Sequence, residues 1–145
     1  MDPLSITVSV TALLRTALQV IQAASALRSQ YREAAFMLSA ISSECTVINT
    51  SLAMLQSLMV SNLDNLHSRM KDNVLSTFDV ALMGCSLTMS VIEEELGGLL
   101  VQDDDGNMKA RRIKYVMDQD HLKEMLQQIR GQQVGVTLLL QTYQA

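Results

Sequence analysis

The spacing of apolar residues restricts the fold of this chain more than any other feature. In three segments an apolar residue recurs at alternating steps of four and three, which places each set on one face of an α-helix. Steps that average 3.5 residues are typical of helices that wrap around one another with a left-handed twist. The stripes are Ile6, Val10, Leu13, Ala17, Val20, Ala24 and Leu27; Leu38, Ile41, Cys45, Ile48, Leu52, Leu55 and Met59; Leu75, Phe78, Leu82, Cys85, Met89, Ile92 and Leu96.

Capping residues predict where these helices begin and end. Asp2 can accept hydrogen bonds from the first turn, and Pro3 suits the first helical position, so the first helix should begin almost at the N-terminus. It should end near residues 28–31, where the apolar run meets charge. The third helix should end at Gly97-Gly98.

The C-terminal third of the chain has a weaker pattern. Its stripe is interrupted at residues 131–133. Asp118 is a candidate cap that divides a short basic helix, about 108–117, from the last long one. The stripe consists of Leu122, Met125, Ile129, Val136, Leu139 and Tyr143.

These segments predict an all-α fold, an elongated antiparallel bundle of about four long helices with one or two short extra helices. A chain of 145 residues suits one domain, and we expect residues 1–145 to be the N-terminal domain of a longer protein. Short connections predict antiparallel neighbours. We find no repeated consensus of the kind that solenoid folds show.

Composition excludes several classes of function. A net charge of −4 and only 3% aromatic residues argue against nucleic-acid binding, which needs a basic footprint. His67 and His121 are lone histidines in polar contexts, so we predict no acid–base pair, no enzyme, no cofactor and no small-molecule substrate. Residues 103–107 fail the comparison with a calcium-binding loop, because Val101 and Arg112 would stand at its first and last ligand positions.

The two cysteines and the start of the chain bear on cellular location. Cys45 and Cys85 both fall on core stripes, so we expect buried free thiols of an intracellular protein. The first residues lack the basic segment of a secretory signal. We therefore expect a cytoplasmic protein.

The first helix has two interpretations. Residues 4–27 contain one charge, Arg15, and have nearly the length that crosses a bilayer, although several Ser, Thr and Gln dilute the run. The helix can pack its stripe in a bundle, or leave the bundle and enter a membrane. The candidate inserting residues are Ile6, Val10, Leu13 and Leu14.

Two further features also allow a solvated or structural interpretation beside a functional one. Lys109, Arg111, Arg112 and Lys114 can contact anionic lipid headgroups or form a solvated face next to the acidic loop. Gly131 and Gly135 lie four residues apart and would let a helix approach closely. That helix is either internal or part of a second copy.

Four stretches of the sequence, in order, resemble one family. They are MDPLSITVSV (1–10), YREA (31–34) leading into SEC (43–45), TFDVALMGC (77–85) and MLQQIRGQQ (125–133). Together they resemble the azaphilone-cluster-type and HeLo-like N-terminal domains of fungal proteins. Such domains precede ankyrin repeats, nucleotide-binding signalling modules or amyloid motifs.

The resemblance implies a helical bundle and, as in the HeLo-like members, an effector role in fungal programmed cell death. In that role a trigger drives oligomerisation, and the first helix then targets and permeabilises the plasma membrane. The partners it implies are further copies of the chain and anionic membrane lipids. A passive protein–protein interaction or homodimerisation module without membrane activity is the alternative.

Overall fold

The apolar stripes form the helices that their spacing predicts. The computed structural model describes residues 3–29, 34–61, 72–102, 108–110 and 119–144. These residues form four long helices and one small hairpin. The elements are α1 (Pro3–Arg28), α2 (Ala35–Ser61), α3 (Asp72–Gly97), β1 (Leu100–Gln102), β2 (Met108–Ala110) and α4 (Gln119–Gln144). At 1.5 Å per residue each helix is about 40 Å long.

All four stripes meet in one hydrophobic core. Every residue of the four predicted stripes is buried, and the three complete stripes of α1, α2 and α3 are at most 1% exposed. The prediction of an all-α bundle is therefore confirmed. α1 begins at Pro3 and ends at Arg28, as its caps predict, while Asp2 lies outside the described residues.

Polar contacts show how the helices run. α1 is antiparallel to α2, because the side-chain amide of Asn49 donates to the Leu14 carbonyl at 3.2 Å and that of Gln56 donates to the Thr11 hydroxyl at 2.6 Å. Later residues of α2 thus lie beside earlier residues of α1.

α2 and α4, by contrast, are parallel neighbours. Arg130 lies 3.3 Å from the Glu44 carboxylate, and the Tyr143 hydroxyl donates to the Leu58 carbonyl at 3.2 Å. The earlier residue of α2 contacts the earlier residue of α4, and the later residue contacts the later one, so the two helices run in the same direction.

α3 completes the arrangement. It runs antiparallel to α4, since His121 lies 2.9 Å from Glu95 and Gln132 donates to Thr88 at 3.4 Å. α1 contacts α2 and α3, and α4 contacts α2 and more weakly α3, so α1 and α4 lie on one diagonal. It follows that α1 and α3 are parallel neighbours. Helices that are consecutive in the chain are therefore antiparallel in all three cases, which confirms the prediction from the short connections. The two parallel pairs, α1 with α3 and α2 with α4, join helices that are not consecutive.

A β-hairpin corrects the prediction of a short helix at about 108–117. Met108–Ala110 is a strand that pairs antiparallel with Leu100–Gln102, with Leu100 opposite Ala110. β2 also packs against α1. An Asp-Gly step at 105–106 between two short runs is a hairpin signal that helical periodicity obscured. Residues 111–117 lie outside the described residues.

Glycines end one helix and lie inside another. α3 ends at Gly97, where the Gly98 N–H donates to the Glu94 carbonyl at 2.9 Å, so the predicted stop is confirmed. A side chain at Gly98 would begin 3.1 Å from that carbonyl oxygen. In α4 the helix continues through Gly131, and only the apolar stripe is interrupted there.

Candidate interaction surface

A partly apolar surface lies on the outer side of two neighbouring helices. On α3, apolar side chains spaced by three and four residues point away from the core, with Val80 68% and Leu87 65% exposed. On α1 a second exposed stripe follows the same spacing. We call their combined surface the α1/α3 face: Val8, Ala12, Arg15 and Gln19 of α1 with Val80, Met83, Leu87 and Val91 of α3.

A groove of about 220 Å³ joins the two stripes. Ala12 lines it from α1, and Met83 and Leu87 line it from α3, so both stripes flank the same depression. Its remaining lining residues are Ser9, Asp79, Leu82 and Ser86. The groove therefore has mainly apolar walls with two serine hydroxyls and one carboxylate.

Charge is almost absent from this face. Arg15 is the only charged residue from 5 to 27, and Asp79 is the only one from 74 to 92. Neither forms an ion pair with any residue that the structure describes. A helix that is apolar on both its inner and outer sides is typical of a helix covered on both sides.

The predicted inserting residues do not lie on this exposed face. Ile6, Val10 and Leu13 are completely buried in the core, and Leu14 packs partly buried against it. Burying one large aliphatic side chain contributes about 1.5–3 kcal/mol. With five such residues on the α1 stripe, releasing α1 alone would cost on the order of 10 kcal/mol.

Among the described helices, two are long and apolar enough, by length and composition, to cross a membrane. They cover Ser5–Arg28 in α1 and Val74–Gly97 in α3. The core helix of a water-soluble bundle has the same length and composition, and one third of each segment is buried. Length and hydropathy alone therefore do not distinguish the two roles.

The basic residues predicted to contact headgroups are largely outside the described structure. Lys109 lies in β2, on the hairpin that packs against α1. Arg111, Arg112 and Lys114 lie outside the described residues. Of these four residues the structure thus gives a backbone position for Lys109 alone, near the end of the bundle.

Gly131 and Gly135 meet open space rather than a neighbouring helix. A side chain built at either glycine would have no atom within 4 Å beyond its own helix. The structure does not show the internal close approach that their spacing allowed. The alternative, a helix of a second copy, stays a prediction.

The two cysteines lie inside the core. Cys45 and Cys85 are buried free thiols, as predicted. Burial, with a smaller contribution from nearby Cys85, raises the pKa of Cys45 to about 12, and burial raises that of Cys85 to about 11. Both are protonated at neutral pH, so neither is an activated nucleophile. His121 pairs with Glu95 on the surface, and His67 lies outside the described residues.

The α1/α3 face was not predicted from the sequence, because only one apolar stripe was sought on each helix, the stripe that would be buried. The signal was present as a second apolar set at helical spacing on the opposite side of α3.

We found no three of the described His, Cys, Asp or Glu side chains placed to hold a metal ion. No protein-family model matches this chain, and no curated protein or solved structure is significantly similar to it.

Proposed function

We propose that this chain is a helical-bundle signalling module that acts by self-association, in the manner that its resemblance to fungal HeLo-like domains implies. The observation that carries the proposal is the nearly uncharged α1/α3 face, which leaves large apolar side chains in water. Exposed apolar patches of this kind mark interaction sites. The proposal includes no catalytic step.

The outer side of α3 provides a direct test. We expect the wild-type chain to associate with increasing concentration in sedimentation velocity, because association covers Val80 and Leu87. The double variant Val80→Gln/Leu87→Gln should remain monomeric. It should keep its unfolding free energy, since both side chains lie outside the core.

A matched control lies on α4. Val134 and Leu138 are similarly exposed, at 54% and 56%, on a helix outside the α1/α3 face. Val134→Gln/Leu138→Gln should leave association unchanged. A wild-type chain that stays monomeric at all concentrations contradicts the proposed function.

Membrane permeabilisation is the second candidate. It is favoured by the two helices that could span a bilayer, α1 and α3, and the family resemblance implies this role for α1. Insertion would place Arg15 near the middle of the apolar segment. There an arginine raises the free energy of insertion into the membrane by about 2.5–3.5 kcal/mol. Because Arg15 is exposed, replacing it leaves the core intact.

Arg15→Leu therefore tests insertion of α1. If α1 enters the bilayer, the variant should release dye from anionic vesicles faster than the wild type. Lys123→Leu, a similar gain in hydropathy at an exposed position of α4, should not. Equal leakage by all three proteins, or none, would contradict insertion of α1.

A further inference from the structure

The two charges on the α1/α3 face are opposite in sign, and each lies on a different helix. Arg15 belongs to the outer stripe of α1, while Asp79 lies on α3 in the groove between the helices. On the other side of the bundle, Glu44 of α2 and Arg130 of α4 pair with each other within the chain. The α1/α3 face thus carries a cation and an anion that a copy of the same face can match.

We propose that the α1/α3 face binds the same face of a second copy in a two-fold symmetric dimer, with Arg15 of each protomer pairing with Asp79 of its partner. This inference rests on the proposed self-association and specifies its partner and geometry. An isologous interface uses one patch twice, so it requires a patch that is complementary to itself.

The parallel course of α1 and α3 determines the direction of the symmetry axis. A two-fold axis parallel to the helices and lying in the interface brings α1 of one protomer onto α3 of the other, both running in the same direction. A perpendicular axis would instead oppose α1 with α1 and α3 with α3. Only the first arrangement places each cation over the helix that carries the anion.

This axis leaves the height of each charge along the helices unchanged. Ser9 and Ala12 line the same groove as a stretch of α3 that begins at Asp79 and ends at Leu87. Arg15 follows Ala12 by three residues, which is about 4.5 Å along the helix. The Arg15 side chain must therefore lean towards the N-terminal end of α1, the direction in which helical side chains tilt, to reach Asp79 of the partner. Each dimer would contain the pair twice.

The size of the face agrees with a stable dimer. Two helices of about 40 Å packed side by side cover a strip of roughly 20 Å width, or about 800 Å². A standard interface buries about 800 Å² on each partner. The apolar stripe of α3 would supply the centre of the interface, and the two charge pairs would specify its register.

Charge reversal tests the pairing with the full chain. Arg15→Glu places two like-charged pairs in its own homodimer, and so does Asp79→Arg. We expect each variant alone to dimerise at least tenfold more weakly than the wild type in sedimentation equilibrium. In the double variant both pairs are restored with reversed polarity, so its affinity should return towards that of the wild type.

Mixing the single variants gives a sharper result. In a heterodimer of Arg15→Glu with Asp79→Arg, both pairs join opposite charges, so the mixture should form dimers that neither variant forms alone. Lys123→Glu on α4 makes the same charge change away from the face and should dimerise as the wild type does. Circular dichroism checks that each variant is folded.

Three outcomes would overturn the inference, and they separate it from the proposed function. If the wild type dimerises but neither single variant weakens it, another surface mediates self-association and only the inference fails. If the mixture does not recover dimers, the proposed pairing is wrong. If the wild type is monomeric at every concentration, the self-association itself fails, and vesicle binding by that monomer would identify lipid as the occupant of the face.

Discussion

On α3, residues that are close in sequence can lie on opposite sides of the helix, one in the core and one on the surface, and Phe78 is the clearest core residue. It is the largest side chain that the described structure buries completely, at 1% exposure. Val80, two residues later on the same helix, is 68% exposed. Core residues support the bundle by apolar burial, whereas the outer residues contribute little to the stability of one protomer.

We therefore expect Phe78→Ala to lower the free energy of unfolding by about 3–5 kcal/mol, because it removes the ring and leaves a cavity. Val80→Ala should change it by about 0.5 kcal/mol or less. Urea denaturation of the monomer measures both. Similar losses in the two variants would mean that Val80 is part of the folded core.

The buried thiols give the bundle a defined pH dependence. Burial raises the pKa of Cys45 to about 12 and that of Cys85 to about 11, from the ordinary value of 9.0. The thiols lose protons more readily in the unfolded chain than in the folded one. Their contribution to stability is therefore complete below pH 9 and is lost as the pH rises from 9 towards 11 and 12.

The Cys45→Ala/Cys85→Ala variant isolates this effect from other groups that titrate in alkali. Above pH 9 the wild type should lose stability more steeply than the variant, by at most about 1.4 kcal/mol per pH unit for each thiol. The measurement is urea denaturation at several pH values from 7 upward. Parallel curves for the two proteins would show that the thiols titrate normally in the folded state.

At the scale of elements, α4 carries two interior glycines without a packing reason inside the protomer. Gly131 and Gly135 have open space where a side chain would begin. Glycine in a helix interior is about 1 kcal/mol less favourable than alanine. The folded monomer would therefore gain stability from alanine at either position.

We expect Gly131→Ala and Gly135→Ala each to raise the unfolding free energy by about 0.5–1 kcal/mol. Sedimentation of the same variants tests whether the glycines admit a helix of a second copy. Weaker association would assign α4 to an interface and would count against the α1/α3 face as the main one. Unchanged association would leave the glycines without an intermolecular role.

Much of the element structure could be predicted from the sequence, because the buried stripes are local and periodic. The stripes of α1, α2 and α3 identified core residues, and Gly97 marked the end of α3. Which helices lie side by side could not be predicted in this way. Whether α1 lies beside α3 or α4 depends on packing between distant segments, which periodicity does not encode.

The candidate site was harder to predict for a related reason. Ile6, Val10 and Leu13 were expected to act as inserting residues, and the same stripe that suggested this role buries them completely. The α1/α3 face depends on two helices lying side by side, and only the tertiary arrangement brings Arg15 and Asp79 to one surface. An exposed stripe on a single helix is indistinguishable in sequence from ordinary surface variation.

Over the whole molecule, packing is unequal among the helices. α1 and α2 share the most extensive contact, and α3 and α4 each attach to one of them while contacting each other least. The seam between α3 and α4 is thus the weakest boundary in the described bundle. The ranking of the helix–helix contacts matters for the membrane hypothesis, because that hypothesis requires α1 to leave the bundle first.

Native-state hydrogen exchange can rank these boundaries. Local opening requires less free energy where fewer apolar contacts must separate. We expect amides of α3 and α4 to exchange through openings of lower free energy than those of α1 and α2, because the seam between α3 and α4 separates first. The α1–α2 pair should retain protection until the whole bundle unfolds.

The opposite ranking would change the functional conclusion. If α1 alone lost protection at low denaturant while α2 stayed protected, its buried stripe would be available at a cost well below that of global unfolding. Leakage by the Arg15→Leu variant would then have a structural cause in release of α1. With the expected ranking, a membrane step would instead have to begin at the exposed α1/α3 face, because that face is accessible while the core is intact.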